Sequence, residues 1–383
     1  MTERTPRLLI ATTVPDTLQA FLFPYAMHLR ANGWGVDAAT SRILPDLMDH
    51  FDTVHDIPWT RSVRDPRNLA KATRQLRRVL TENHYDLVHT HTPIASFLTR
   101  TVCGSLPAKR RPRIVYTAHG FHFHPRGKPV TNCVYAAAEK IAGRWCDRLV
   151  VINQTDYQAA RRLKLAAHGQ IVQFPGIGID LDWYEPSPEM RQSARELRKD
   201  LGFSPDDVVF AMLAEMTPNK NHHVILHALE HNADEHHHVV FAGDGEMRES
   251  LEEETRRLHL EDRVHFLGVI GDIRPLVLAS AATLLPSRRE GLPRVVLESL
   301  ALGVPVIGTN IRGIAELIGE DGGILIESDD SFDLARAMRV LARSEIGPVL
   351  PVQVRNRLTE YSLPHLLDLH DDLYGALLQD AGR

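Results

Sequence analysis

The sequence predicts an α/β protein made of two doubly wound parallel-sheet domains that face each other across a cleft. Three observations carry this expectation. A chain of 383 residues is too long for one ordinary α/β domain and about right for two. Short β-rich runs alternate with helical stretches almost from end to end. Near residue 180 that rhythm stops and then starts again.

In the first half, strands are expected over Arg7–Thr13, Gly35–Thr40, Asp86–Thr92, Arg113–His119, Arg148–Asn153 and Ile171–Phe174. Helical patterns fill the gaps, notably Leu18–Ala31, Pro66–Asn83 and Val130–Cys146. Runs that are apolar throughout, such as Leu149 to Ile152, indicate parallel strands covered on both faces. The loop signal Pro175 to Asp180 and the segment Tyr184–Pro188 precede a charged helix, Glu189–Leu201. A second strand set follows at Val208–Ala214, Val239–Ala242, Val264–Leu267, Thr283–Leu285, Val304–Gly308 and Gly323–Ile326. Helices between them include Glu246–His259 and Arg294–Leu302. After Pro364 a last helix, Leu363–Leu378, stands apart from the final strand, and chain order leaves open a crossing back to the first domain. The expected division is 1–180, 181–362 and a C-terminal helix in 363–383.

Composition sets the class. Hydrophobic residues make up 43% and charged ones 24%, the balance of a soluble globular chain. Three cysteines, Cys103, Cys133 and Cys146, are few, odd in number and lack metal spacing, which points to a reducing compartment. The apolar run after Arg7 is short and soon meets Asp16, so it reads as a first strand and not a signal peptide. The stretch Val295–Gly308 is broken by Glu298 and Pro305 and cannot span a bilayer. Cytoplasmic residence is the expectation. Charge is divided unevenly: residues 1–180 carry 24 Lys and Arg against 14 Asp and Glu, and residues 181–383 carry 20 against 35. Such asymmetry implies that the first half meets something anionic.

The densest chemical signal runs from Ser287 to Glu298, Ser-Arg-Arg-Glu-Gly-Leu-Pro-Arg-Val-Val-Leu-Glu. A strand ends, a loop carries Glu290 and Gly291, and Pro293 sits where a helix would begin. In parallel sheets, ligands bind outside the carboxyl ends of the strands. A helix N-terminus offers unpaired N–H groups, so a diphosphate could rest along Leu292, Pro293 and Arg294. Glu298 lies in a helix that is apolar nearly all round and should be buried. A buried carboxylate is costly unless paired. Two partners are open for it: a ribose diol, or Arg294 four residues earlier on the same face.

With Glu290 and Glu298 in a Glu-x7-Glu spacing after a strand and opening a helix, the sequence resembles the retaining family-4 glycosyltransferases of the GT-B fold. That fold sets two Rossmann-like domains across a cleft. The likeness covers essentially the whole chain. It is closest at Val88–Phe97, Tyr116–Phe123 and Phe174–Asp180, which resemble the subgroup that builds bacterial capsule, exopolysaccharide and other lipid-linked surface glycans. The resemblance implies that Glu290 touches donor-sugar hydroxyls, that Glu298 holds the ribose and that the backbone at Leu292–Arg294 faces the diphosphate. The donor would be a nucleotide sugar, UDP-linked by the subgroup, and is a substrate; no cofactor is expected.

Other residues take their roles from the same resemblance. The loop Leu213–His222 usually supplies an Arg and then a Lys to the diphosphate. Lys220 matches the Lys, whereas Glu215 stands at the Arg position, a departure that Arg288, Arg289 or preferably Arg294 would have to offset. His119, at the end of its strand, matches a family histidine beside donor sugar and acceptor; from the residues alone it reads as a packing histidine. Gly243 and Gly268 each close a strand near the nucleotide, and the base would lie near Val269 and Ile270. The candidate catalytic residues are therefore His119 and Glu290, and the candidate donor-binding residues are Lys220, Gly243, Gly268, Gly291, Leu292, Pro293, Arg294 and Glu298. The first loop, Thr12–Thr17, lacks the family's glycine pair and could serve the acceptor instead.

His89 and His91 are read as structural or lining the acceptor side, one on each face of their strand. Neither histidine group, around His119–His124 or around His222–His238, has a recognised zinc spacing, and no metal is expected. Arg61, Arg64 and Arg67 precede a helix with Lys71, Arg74, Arg77 and Arg78, and further basic residues include Arg126 and Lys128. With His122, Arg61 and Arg64 are read as facing the acceptor and an anionic membrane surface, each basic residue near such a surface contributing about 1 kcal/mol. The expected partners are a nucleotide sugar and a polyprenyl-diphosphate-linked acceptor at the inner leaflet. Nucleic acid is not expected, since no aromatic platform accompanies the charge. A nucleotide-sugar 2-epimerase of the same fold, or a non-catalytic nucleotide-sugar-binding protein, are the alternatives.

Overall fold

The computed structural model describes residues 5–60, 65–123, 128–166, 170–232, 234–342 and 352–381. The chain divides into two compact units, one of Met1–Ile177 with Pro364–Arg383 and one of Gly178–Leu363.

The first unit holds seven parallel strands: β1 (Arg7–Ala11), β2 (Gly35–Thr40), β3 (Thr53–Asp56), β4 (Leu87–His91), β5 (Arg113–Ala118), β6 (Arg148–Val151) and β7 (Gln170–Gln173). They are ordered β3-β2-β1-β4-β5-β6-β7. Leu9 pairs with Asp37 on one side and Val88 on the other. Both faces are covered, which is why the strand residues read as near-continuous apolar runs. On one face Leu9, Val88 and Ile114 pack with Leu76, Leu80 and Val102. Each such buried side chain stabilises the fold by about 1.5–3 kcal/mol. The helices Pro66–Asn83, Pro93–Gly104 and Pro129–Ala142 pack side by side, the middle one touching both neighbours. Asp65 starts the first of these by accepting from the Arg67 and Asn68 N–H groups, with Pro66 as the first helical residue.

Sequence reading missed β3, a four-residue edge strand with one fully buried side chain and hence no alternation to detect. It also treated Leu18–Ala31 as one helix. The chain instead makes a π-helical turn over Leu18–Leu22 before the helix Phe23–Ala31. Pro24 has no N–H to continue a regular ladder, so the winding changes there.

The C-terminal helix Leu363–Ala381 belongs to the first unit. Asp371 Oδ2 lies 2.7 Å from His28 Nε2, and the Tyr374 hydroxyl lies 2.5 Å from His89 Nδ1. No helix among the described residues is long and apolar enough to cross a membrane.

The second unit holds six parallel strands: β8 (Val208–Leu213), β9 (His237–Ala242), β10 (Val264–Gly268), β11 (Ala282–Leu285), β12 (Val306–Thr309) and β13 (Gly323–Ile326). Their order is β10-β9-β8-β11-β12-β13. One face buries Phe210, Met212, Phe241 and Leu284 against Ile225, Leu229 and Leu334. Leu285 and Val306 pack with Val296, Leu300 and Ile318. Each sheet reverses its strand order once, between β1 and β4 and between β8 and β11, and at such a point the loops diverge and leave room for a ligand.

Candidate functional site

In the second unit the loops after β8 and β11 are tied together where the strand order reverses. The Arg288 N–H donates to the Asn219 carbonyl at 2.8 Å, and Asn219 Nδ2 donates to the Arg289 carbonyl at 2.9 Å. The Arg288 guanidinium donates to the Pro218 carbonyl at 3.0 Å and to Asp329 Oδ1 at 2.8 Å. These bonds hold Lys220 Nζ 2.7 Å from Glu290 Oε1, with both side chains largely buried. Two glycines let the loops after β12 and β9 close on these two. Gly313 has φ +78°, and a Cβ there would stand 2.1 Å from the Gly291 carbonyl oxygen. Gly243 has φ +144°, and a Cβ there would stand 2.1 Å from the Ala214 carbonyl oxygen. The Gly243 N–H donates to the Gly268 carbonyl at 2.8 Å, so these two glycines are neighbours as well.

The β11 loop leads through Gly291, Leu292 and Pro293 into the helix Arg294–Ala301. No side chain caps its N-terminus, an end that carries partial positive charge. Glu298 is 9% exposed on this helix. The Tyr184 hydroxyl donates to Glu298 Oε1 at 2.8 Å, and Arg294 Nε lies 2.8 Å from the same oxygen as an ion pair. The internal Arg294 partner that the sequence left open is therefore present, joined by a tyrosine. Both act on one oxygen of the carboxylate. Burial, and next the Glu298 charge, push the Tyr184 pKa up, so its hydroxyl stays a donor.

Glu215 is exposed and its carboxylate forms no ion pair among the described residues. Arg288 is engaged by Asp329, whereas Arg289 is exposed. Sequence reasoning missed Tyr184 and Arg312. Arg312, after β12, donates through Nε to the Glu290 carbonyl at 3.2 Å. A basic residue following a strand of this sheet was the available signal. Tyr184 lies far from Glu298 in sequence and left none.

In the first unit the reversal point joins the loops after β1 and β4. Thr13 N–H donates to Thr92 Oγ1 at 2.9 Å, and Thr92 holds φ +63° ahead of the helix Pro93–Gly104. His119 follows β5, and its Nε2 lies 3.0 Å from His91 Nδ1. The His91 ring lies 4.1 Å from the His89 ring. The expectation that His89 and His91 point to opposite faces is thus wrong: residues two apart on a strand share a face. His89 Nε2 meets Thr117 Oγ1 at 2.7 Å, and His370 of the C-terminal helix stands 5.7 Å from the His89 ring. Burial pushes the His119 and His370 pKa values down to about 4 and those of His89 and His91 down as well. Burial thus disfavours the protonated form of all four rings. The His122 ring lies 5.2 Å from that of Tyr135. Arg61 and Arg64 lie outside the described residues. A cavity of about 550 Å³ beside the first βα loop is lined by Val14, Asp16, Arg42, Trp59, Thr60 and Asn68. Among the described residues no group of three or more His, Cys, Asp or Glu side chains is arranged to hold a metal ion.

Comparison with known proteins agrees with this architecture. Residues 193–362 match the family described as Glycosyl transferases group 1, and residues 22–182 match Glycosyltransferase Family 4. Bacillus subtilis EpsD, assigned as a glycosyltransferase, is 32% identical over 379 residues, covering 98% of this chain and 97% of that one. The Escherichia coli UDP-Gal:α-D-GlcNAc-diphosphoundecaprenol α-1,3-galactosyltransferase is 27% identical over 311 residues, 79% of each chain. The crystal structure of Anabaena HepE in complex with UDP and glucose superposes with a TM-score of 0.80 at 18% identity, over 97% of this chain and 100% of that one, a likeness of fold. On these matches and the two parallel-sheet units, the chain belongs to the family-4 glycosyltransferases of the GT-B fold.

Proposed function

We propose that this glycosyltransferase moves a hexosyl or N-acetylhexosaminyl group from a UDP-sugar to a polyprenyl-diphosphate-linked acceptor, with retention at the anomeric carbon and without a metal ion. The observation that carries the reading is the pair of contacts around the helix Arg294–Ala301: Lys220 on Glu290 before it, and Arg294 with Tyr184 on Glu298 within it.

The roles follow from the chemistry of these groups. Glu298, steadied through Oε1, accepts from the ribose hydroxyls. Lys220, Arg294 and the helix-end N–H groups stand where a diphosphate gathers charge as it leaves. Glu290 accepts from donor-sugar hydroxyls. The bond from C1 to the diphosphate oxygen breaks, a bond from C1 to the acceptor oxygen forms on the same face, and the acceptor proton departs with UDP. His119 is neutral, so it serves as a hydrogen-bond partner for a sugar hydroxyl and not as a cation.

Support for the lipid-linked acceptor comes from the E. coli relative, whose acceptor is diphosphoundecaprenol-linked, and for UDP from that relative and the HepE complex. The first unit's Arg42-lined cavity and the exposed Arg67, Lys71, Arg74, Arg77 and Arg78 suit an anionic acceptor at the cytoplasmic membrane surface. The test is a panel of nucleotide sugars against polyprenyl-diphosphate sugars, with product linkage and anomeric configuration read by NMR. UDP release only with acceptor and an α-linked product from an α-linked donor are expected. A sugar changed at C2 with no acceptor present, or an inverted product, would overturn the reading.

A further inference from the structure

The helix Pro129–Ala142 carries an apolar stripe on its outer side. Val130, Val134 and Ile141 are 78%, 62% and 46% exposed, and Ala137 is exposed between them. The spacing i, i+4, i+7, i+11 puts all four on one face. Such a face on a globular protein normally turns inward. Here the helix is locked the other way round. Glu139, on the opposite side, lies 2.7 Å from the guanidinium of Arg100, which is 1% exposed, and accepts from the Tyr116 hydroxyl at 3.1 Å. Arg100 also stacks over the Tyr116 ring at 4.2 Å. Rotating the stripe inward would leave a buried guanidinium without its carboxylate, a heavier cost than exposing three aliphatic side chains.

The stripe's charged surroundings identify what it meets. Lys128, Lys140 and Arg144 are exposed at its ends, and the helix's acidic residue, Glu139, is turned away. Two helices along the same layer, Pro66–Asn83 exposes Arg67, Lys71, Arg74, Arg77 and Arg78. A surface that pairs aliphatic side chains with cations fits the headgroup boundary of an anionic bilayer, where the first enter the acyl region and the second meet phosphates. We infer that the helix Pro129–Ala142 is the segment by which the protein seats on an anionic lipid surface, with Val130, Val134 and Ile141 inserted. The inference rests on the membrane-borne acceptor proposed above and assigns the contact to particular residues.

Cys133 is exposed beside the stripe, while Cys103 and Cys146 are buried, so a thiol-reactive, polarity-sensitive fluorophore reports on this helix alone. Labelled protein mixed with phosphatidylethanolamine–phosphatidylglycerol vesicles is expected to shift its emission to the blue, with little change on phosphatidylcholine vesicles. Replacing Val130, Val134 and Ile141 together by Ser is expected to weaken co-sedimentation with the anionic vesicles by about tenfold or more. Lys140→Glu with Arg144→Glu is expected to weaken it in a salt-dependent way. Neither set touches the residues assigned to the donor, so turnover of an acceptor dissolved in detergent micelles stays at the wild-type level. Vesicle binding equal to wild type in the triple Ser variant overturns the inference. So does a wild-type protein that ignores anionic vesicles, or one that dimerises through the stripe in sedimentation velocity. Wild-type turnover in micelles with no vesicle binding overturns this surface alone, whereas no turnover in micelles strikes at the proposed function.

Discussion

The Tyr184 hydroxyl donates to Glu298 Oε1 across 114 positions of sequence, and both side chains are buried. Tyr184 precedes the helix Pro188–Asp200 and Glu298 sits within Arg294–Ala301, so the bond fixes a carboxylate from outside its own helix. A carboxylate with one oxygen held this way has lost its rotational freedom before a ligand arrives. Orientation established in advance suits the ribose-binding role proposed for Glu298.

Tyr184→Phe removes that bond and keeps the ring. A hydrogen bond to a charged group is worth about 1.5–3 kcal/mol, so KM for the UDP-sugar is expected to rise by about tenfold or more. The change in kcat should be small, and the variant should prefer UDP over 2′-deoxy-UDP less strongly than wild type does. Unchanged preference between those two ligands would remove Tyr184 from the donor site.

Lys220→Ala is expected to lower kcat by about 100-fold or more while circular dichroism stays unchanged, since the charge it lends would act as the diphosphate leaves. Glu298→Gln keeps the volume and is expected to lose transfer. Near-normal turnover in both variants would defeat the assignment of this site.

Gly313→Ala tests the backbone approach. The added Cβ meets the Gly291 carbonyl at 2.1 Å and φ +78° is disfavoured for alanine, so the loop carrying Glu290 must move. UDP binding by calorimetry is expected to weaken at least about tenfold, and the protein to lose about 1–3 kcal/mol of stability. An alanine variant that binds as wild type does would mean the loop's position is not needed.

The histidine cluster makes a prediction about pH. His119 and His370 titrate near 4 when folded, against about 6.5 for an unburied histidine. The unfolded chain therefore takes up more protons between those values, and stability is full above about 6.5 and falls as pH drops toward 4. His89 and His91 act in the same direction, while Asp371 beside His370 opposes it weakly. The first unit's melting temperature is expected to be lower at pH 5 than at pH 7.5, by roughly 5 °C. A melt independent of pH over that range would show these rings to be hydrated.

Much of the fold was legible because parallel strands buried on both faces write themselves as apolar runs, as at Leu149–Ile152. The edge strand β3 was not, having little buried surface to mark it. At the candidate site, Glu290, Arg294 and Glu298 share one loop and one helix, so local spacing made them candidates. Arg312 and Tyr184 reach the same place from separate elements. The face assigned to His89 and His91 was a misreading of strand period, corrected by rings 4.1 Å apart.

By itself the sequence determined the α/β class and the family, through the strand–helix rhythm along the chain and motifs of a dozen or so residues, and it made Glu290, Arg294 and Glu298 candidates through their spacing. Only the tertiary structure decided that Tyr184 holds Glu298, that the C-terminal helix brings His370 and Tyr374 to His89, and that Arg100 turns the stripe of Pro129–Ala142 outward. Those choices depend on which buried polar groups find partners. In a low-dielectric interior a missing partner is costly, and the partners lie wherever the packed chain has brought them.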